Sequence, residues 1–331
     1  MATEINIKKA VREKIWSKVA LMGASGSGKT YSALRLATGM LEKLKEIGLE
    51  QNGRIVLINT EQKRGYYYAN EFDYDIVDLD APYTPEKYVD LIREIVKLNY
   101  PILIIDSTSH EWEGKGGALE LHQQAGGTYQ AWSKVTPRHD KFILEIADSP
   151  IHIIATMRGK DQYSMETEGG RTTVKKLGVG AKQREGVEYE FTVTFLLDQL
   201  TNLATQKKDN THIFDSEGDV ILTEDSGRQI ISWANSGEAV YIAPKRYEDS
   251  MQEDADVDKA QRASILKSEI VGFCKELGGT ENGELMLVLT KYVPNGNPNR
   301  IENIDDLVKL NKELKIMLDK KNKQTKKDEG K

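Results

Sequence analysis

The sequence predicts an α/β fold, a mainly parallel sheet flanked by helices, followed by a small helical C-terminal unit. Three observations predict it. A glycine-rich loop, Gly23-Ala24-Ser25-Gly26-Ser27-Gly28-Lys29-Thr30, joins a short apolar run to a stretch of helical periodicity. Short, unbroken apolar runs then alternate with helix-period segments, as parallel strands buried on both faces require. Beyond residue 237 apolar runs give way to an acidic stretch and then to helical spacing alone.

Taken in order, residues 5–16 form an amphipathic lead-in with Lys8, Lys9, Arg12 and Lys14 beside Ile7, Val11, Ile15 and Trp16. The run 18–22 reads as the first strand. Ala33, Leu34, Ala37, Met40, Leu41, Leu44 and Ile47 mark the helix after the loop. Further strands are expected at 54–59, 75–79, 101–106 and 151–156. A helix over 84–97 opens with Thr84-Pro85-Glu86, proline standing at the first helical position. The glycines of 107–127 break that block into loop and short helix, and a helix around 137–147 follows. Between 158 and 186 apolar content collapses, which predicts a long functional or disordered loop. Val187 to Leu197 alternates as a strand, Leu203 to Thr205 and His212 to Phe214 follow, and Thr223 to Trp233 reads as a capped helix with Gly237 as its stop. These signals divide the chain into an α/β domain at 1–237, an acidic linker at 238–262, a small helical domain at 263–319 and a disordered basic tail at 320–331. The helical domain is expected to hold helices at 263–277, 284–292 and 304–318.

Composition narrows the function classes. The 331 residues are 30% charged and carry a net charge of -6, so a generally basic nucleic-acid coat is excluded and any DNA contact must be local. One cysteine, Cys274, excludes an internal disulfide or a cysteine-built zinc site and reads as a small core hydrophobe. No apolar run approaches the ~20 residues a bilayer span needs, and Met1-Ala2-Thr3-Glu4 lacks a signal-peptide core. No membrane contact and a cytoplasmic location are expected.

The glycine loop satisfies the P-loop pattern, two glycines five apart followed by Lys-Thr. Gly23 to Gly28 let backbone N–H groups converge on phosphate, Lys29 reaches the β- and γ-phosphates of ATP, and the Thr30 hydroxyl ligates Mg²⁺. Asp106, closing an apolar strand, has the context of a Walker B carboxylate for the same metal ion. Three glutamates compete to activate water: Glu61, Glu111 and Glu113. Ser107, Thr108 and Ser109 are read as outer partners of Mg²⁺ and water. The histidines at 110, 122, 139, 152 and 212 lack metal-ligand spacing with cysteine and receive no catalytic role.

The chain resembles the RecA-like ATPases, which favours Glu61 in Asn59-Thr60-Glu61 as the catalytic glutamate and gives the fold as a RecA-like P-loop NTPase. The resemblance puts Tyr68, in Gly65-Tyr66-Tyr67-Tyr68-Ala69, against adenine. More closely, the P-loop, the string from Asp106 to Gly114 and the string from Gln183 to Phe191 resemble the RecA-like nucleotide-binding ATPases of bacteriophages, a group that includes single-strand annealing and recombination proteins. The likeness covers residues 1–237. It implies a single-stranded DNA contact through Arg158, Lys160, Arg171, Lys175 and Lys176, and catalytic cations Lys182 and Arg184 supplied to a neighbouring subunit of a ring or filament. It also implies host-cell cytoplasm as the location. The family's glutamine at the end of the fifth strand has no counterpart in Thr156-Met157-Arg158.

The resulting expectation is a Mg²⁺-dependent, DNA-stimulated ATPase of phage-type recombination, annealing or replication. The alternative is an ATP-gated adaptor with incidental hydrolysis. In either, the C-terminal helices are available to recruit a single-strand-binding or replication protein.

Overall fold

The computed structural model describes residues 9–168, 171–215, 218–237 and 245–328; the side chains at 161–179, 245–258, 261 and 322–328 fall outside the described set. The chain separates into two compact units, Met1–Pro244 and Lys245–Lys331.

In the first unit, β1 (Lys18–Gly23) runs into the P-loop and α1 (Lys29–Glu46). Then follow β2 (Ile55–Asn59), β3 (Asp75–Asp78), α2 (Pro85–Lys97) and β4 (Ile102–Asp106). Two short helices, α3 (Ser109–Glu113) and α4 (Ala118–Gln124), fill the glycine-rich block, and α5 (Trp132–Asp148) leads to β5 (His152–Glu168). Next come β6 (Arg171–Ala181), β7 (Val193–Leu197), β8 (Ala204–Asp209) and α6 (Glu224–Ala234). The sheet order is β3-β2-β4-β5-β1-β7-β8, with β6 paired to β5. Pairing is parallel from β3 through β7, and antiparallel for β7 with β8 and for β5 with β6.

Side chains on a strand alternate between faces, so each apolar run supplies both layers of the core. Val19, Leu21, Ile55, Leu57, Ile102, Ile104 and Ile154 pack with Leu34, Ala37 and Met40 of α1 and Ile230 and Ile231 of α6. Ala20, Met22, Val56, Ile58, Leu103, Ile105, Ile153 and Ala155 pack with Tyr88 and Ile92 of α2 and Phe142 and Ile146 of α5. Thr223 accepts from the Ser226 N–H and Ser226 Oγ accepts in return from the Thr223 N–H, a capping box that starts α6 where the sequence places it.

Three expectations are corrected. The predicted loop from 158 to 186 contains an antiparallel ribbon, Gly159 pairing with Ala181 through to Glu168 with Arg171. Tyr163, Met165, Val174, Val179 and several threonines are strand formers, and a ribbon completes its backbone hydrogen bonds without an apolar core, so low hydrophobicity does not prevent pairing. The alternation from Val187 is not strand at its start: Val187–Glu190 is a 3₁₀ turn and pairing begins at Val193. In the second unit, α7 (Lys245–Glu276) takes in residues of the expected acidic linker, and α9 (Ile304–Asp328) takes in most of the expected disordered tail. Neither stretch contains glycine or proline before residue 272 or within 304–328, so helix propensity persists where the apolar signal fails. Residues 238–244 and 329–331 lie outside the described residues.

The second unit packs Ile270, Leu285, Leu289, Leu307, Leu310 and Leu314 of α7, α8 (Gly283–Tyr292) and α9 into its own core, with Leu277 just after α7. Cys274 packs partly buried against that core, as its sequence reading requires.

Two features make the fold testable. Helices α1 and α6 meet at glycines: a Cβ at Gly39 would lie 1.7 Å from the Glu224 carbonyl oxygen, and one at Gly227 would lie 2.1 Å from that of Leu36. The obstacle is backbone, so Gly39→Ala is expected to destabilise the unit by ~3 kcal/mol or more, read as a lower urea midpoint with unchanged slope. Lys18, fully buried at the start of β1, donates to the Ser149 and Ile151 carbonyls at 2.7 and 2.6 Å. Burial pulls its pKa from 10.5 down to about 7, against the raising effect of Asp148 and Glu145. Between those values the unfolded chain binds the proton and the folded chain does not, so stability rises with pH across this window. Wild type is therefore expected to gain more stability than Lys18→Met on going from about pH 7 to about pH 10, measured by denaturant titration.

Candidate active site

The carboxyl ends of β1, β2 and β4 meet the middle of β5, around Thr156 and Arg158, at one edge of the sheet, where an open α/β sheet places its ligand crevice. Gly23 closes β1 against β7, a Cβ there falling 2.7 Å from the Leu197 carbonyl oxygen. Gly28 holds φ 83° as the residue that turns the loop into α1. A cavity of about 600 Å³ lies over this loop, bordered among others by Lys29, Thr30, Glu61, Tyr68, Asp106 and Arg158.

Lys29 Nζ donates to the carbonyls of Gly23 and Ala24 at 2.8 and 2.7 Å, which keeps the ammonium at the loop's centre. Burial lowers its pKa, and Asp106 and Glu61 oppose that shift. Asp106 is buried at the end of β4, where its two oxygens accept from Thr30 Oγ1 at 2.6 Å and Thr156 Oγ1 at 2.5 Å. Burial pushes its carboxyl upward, while the Thr156 and Thr30 hydroxyls hold it down.

These groups fit Mg²⁺. Thr30 and Asp106 offer hard oxygen donors side by side, and the neighbouring Ser107 Oγ is buried with no hydrogen-bond partner among the described residues. Mg²⁺ keeps several waters and is commonly held by one or two protein oxygens plus phosphate, so this sparse donor set suits it. When bound it would neutralise charge on the β- and γ-phosphates.

Glu61 follows β2. Its backbone N–H donates to Asn59 Oδ1 at 3.1 Å, and Asn59 Nδ2 is itself tied to Asp78 at 2.6 Å. Its Oε1 accepts from Arg158 Nη2 at 2.7 Å and Nε at 3.2 Å. Glu113 lies 3.8 Å from Arg158 and 3.4 Å from Lys182 Nζ. Glu111 is fully buried, accepting from Gln183 Nε2 at 3.2 Å with His139 Nδ1 at 3.1 Å from each of its oxygens.

A family model described as an AAA domain matches residues 16–231. The chain belongs to that family. It is an AAA-type P-loop ATPase domain with a helical C-terminal region, and that membership carries ATP binding with it. No curated protein matches the chain.

Within the AAA domain, the structure gathers Ser25, Gly26, Gly28, Lys29, Thr30, Glu61, Tyr68 and Asp106 around one cavity. Tyr68 packs edge-on to Tyr31 with ring centroids 5.3 Å apart. Of the three competing glutamates, Glu61 borders the cavity; Glu111 is sequestered by His139 and Gln183. Lys182 borders the cavity of its own chain, whereas Arg184 pairs with Asp140 at 2.6 Å and borders a separate cleft with Trp112, Tyr129 and Trp132. Arg158, assigned from sequence to DNA, borders this cavity: Thr156 and Arg158 share a face of β5, and the first touches Asp106. Lys160 is exposed on the ribbon, and the side chains of Arg171, Lys175 and Lys176 lie outside the described residues.

Sequence reasoning missed Arg158 as a cavity residue, Arg64 and Tyr67 beside it, and Asn59 as the support of Glu61. His152 is buried in β5: its Nδ1 accepts from the Ser17 N–H at 3.1 Å, and burial, with Lys18 nearby, pulls its pKa down to about 3.

If Thr30 ligates the metal, Thr30→Val is expected to lose about tenfold in nucleotide affinity with Mg²⁺ present, near 1.4 kcal/mol, and little in EDTA. Titration of a fluorescent ATP analogue in both buffers reads the difference.

Proposed function

We propose that this AAA domain is a Mg²⁺-dependent ATP hydrolase that works on single-stranded DNA, in recombination, annealing or replication of the phage type. The observation that carries the reading is the continuity of β5. One strand touches the Walker B carboxylate at Thr156, reaches Glu61 through Arg158, and continues as a two-stranded ribbon whose sequence holds Lys160, Arg171, Lys175 and Lys176. A cationic ribbon rooted in a nucleotide site suits a phosphate backbone, and its position makes it responsive to the nucleotide.

In the hydrolysis step, water attacks the γ-phosphorus and gives its proton to Glu61, while the bond to the β,γ-bridging oxygen breaks and ADP leaves with the electron pair. Lys29 and the loop amides hold the phosphates through the step. Tyr68 stacks on the base. The second unit recruits a replication or single-strand-binding protein, and the working assembly is a homo-oligomeric ring or filament.

Glu61→Gln tests the reading. It is expected to keep nucleotide binding and lose hydrolysis by about 10²-fold or more. Wild-type hydrolysis is expected to rise with single-stranded DNA at low salt and the stimulation to fade as salt increases. Full cellular activity of Glu61→Gln would favour the adaptor reading.

A further inference from the structure

We propose that Arg158, with Lys182, supplies the γ-phosphate cations of this site from within the same chain, and that both are delivered by the root of the β5–β6 ribbon. This rests on the reading of the site as an ATP hydrolase and identifies a further catalytic residue in it.

The strand register fixes where Arg158 stands. β5 pairs with β1 so that Thr156 lies opposite Leu21 and Arg158 opposite Gly23, the first glycine of the P-loop. The arginine backbone is pinned on both sides: its N–H donates to the buried Ser109 Oγ at 2.9 Å, and its carbonyl accepts from the Lys182 N–H at 2.6 Å. The same short segment therefore positions both cations. Ser109 belongs to α3, which also carries Glu113, and Glu113 pairs with both cations, lying 3.8 Å from the guanidinium and 3.4 Å from the ammonium.

The chemistry favours transfer of these donors to phosphate. Arg158 directs two N–H groups at Glu61 Oε1 and lies on the wall of the cavity that also contains Lys29 and Thr30. A guanidinium fork matches phosphate oxygens as well as it matches a carboxylate, and a γ-phosphate carries more charge than Glu61. When a triphosphate occupies the cavity, the fork engages it and Glu61 gains freedom to take the proton from water. Arg158 then stabilises charge that develops on the transferring phosphoryl group. Because Arg158 and Lys182 flank Gly159 and Ala181, the pair at the root of the ribbon, a ligand that shifts the ribbon shifts both cations together.

The test uses the full-length chain and three variants: Arg158→Ala, Arg158→Lys and Glu61→Gln. Arg158→Ala is expected to lose about 10³-fold in kcat with KM for ATP nearly unchanged, and Arg158→Lys to recover part of the loss. Mixing Arg158→Ala with Glu61→Gln is expected to restore nothing, since each chain then lacks one member of its own site. Hydrolysis by Arg158→Ala at or above the wild-type rate would overturn the proposal, as would recovered activity in the mixture, which would place the cation in a neighbouring subunit. A wild-type chain that hydrolyses no ATP would instead overturn the hydrolase reading itself. Fluorescent-nucleotide binding by Arg158→Ala and Arg158→Lys verifies that both variants retain the fold of the site.

Discussion

Everything at the site depends on the parallel register of β5, held between β1 and β4. Hydrogen bonding to β1 sets Arg158 beside Gly23, and pairing with β4 sets Ala155 beside Ile105, so Thr156 stands next to Asp106. A slip of one residue would turn Thr156 and Arg158 to the opposite face and carry Ile153 and Ala155 off the face they pack. The apolar alternation of β5 thus fixes its polar end as well: core packing determines which side chains meet the P-loop.

Around that register the polar groups are matched in sequence rather than left to solvent. Asp106 loses water on burial and recovers two hydroxyl donors, from Thr30 and Thr156. Glu61 and Glu113 are matched by Arg158 and Lys182, and Lys29 by the loop carbonyls. Glu111, three residues after Thr108, joins a separate buried network with His139 and Gln183 that ties α3 to α5 and to the segment after β6. Two glutamates two residues apart therefore have different work: Glu111 holds structure, and Glu113 neighbours the nucleotide site.

The parallel sheet and the P-loop were legible because both announce themselves locally. Strands buried on both faces require unbroken apolar runs, and a phosphate loop requires glycines at fixed spacing before Lys-Thr. The place of Asp106 at the end of β4 was legible for the same reason, since it closes such a run. The ribbon was not, since its pairing is carried by backbone rather than by apolar side chains, and the acidic start of α7 was not, since that helix begins without an apolar stripe. The place of Arg158 on the cavity wall was not legible, because it depends on a partner strand more than a hundred residues away in the chain, and no local pattern encodes that distance. The AAA family match extends over the sheet and both helical layers, while the second unit falls outside it.

The most direct test is a crystal structure of the full chain with Mg²⁺ and a non-hydrolysable ATP analogue. The expected electron density shows phosphates along the Gly23–Lys29 loop, the metal ion between Thr30 and Asp106, and the Arg158 guanidinium of the same chain on the γ-phosphate, turned away from Glu61. A nucleotide whose γ-phosphate is met by cations of a neighbouring copy, with Arg158 still holding Glu61, would contradict it.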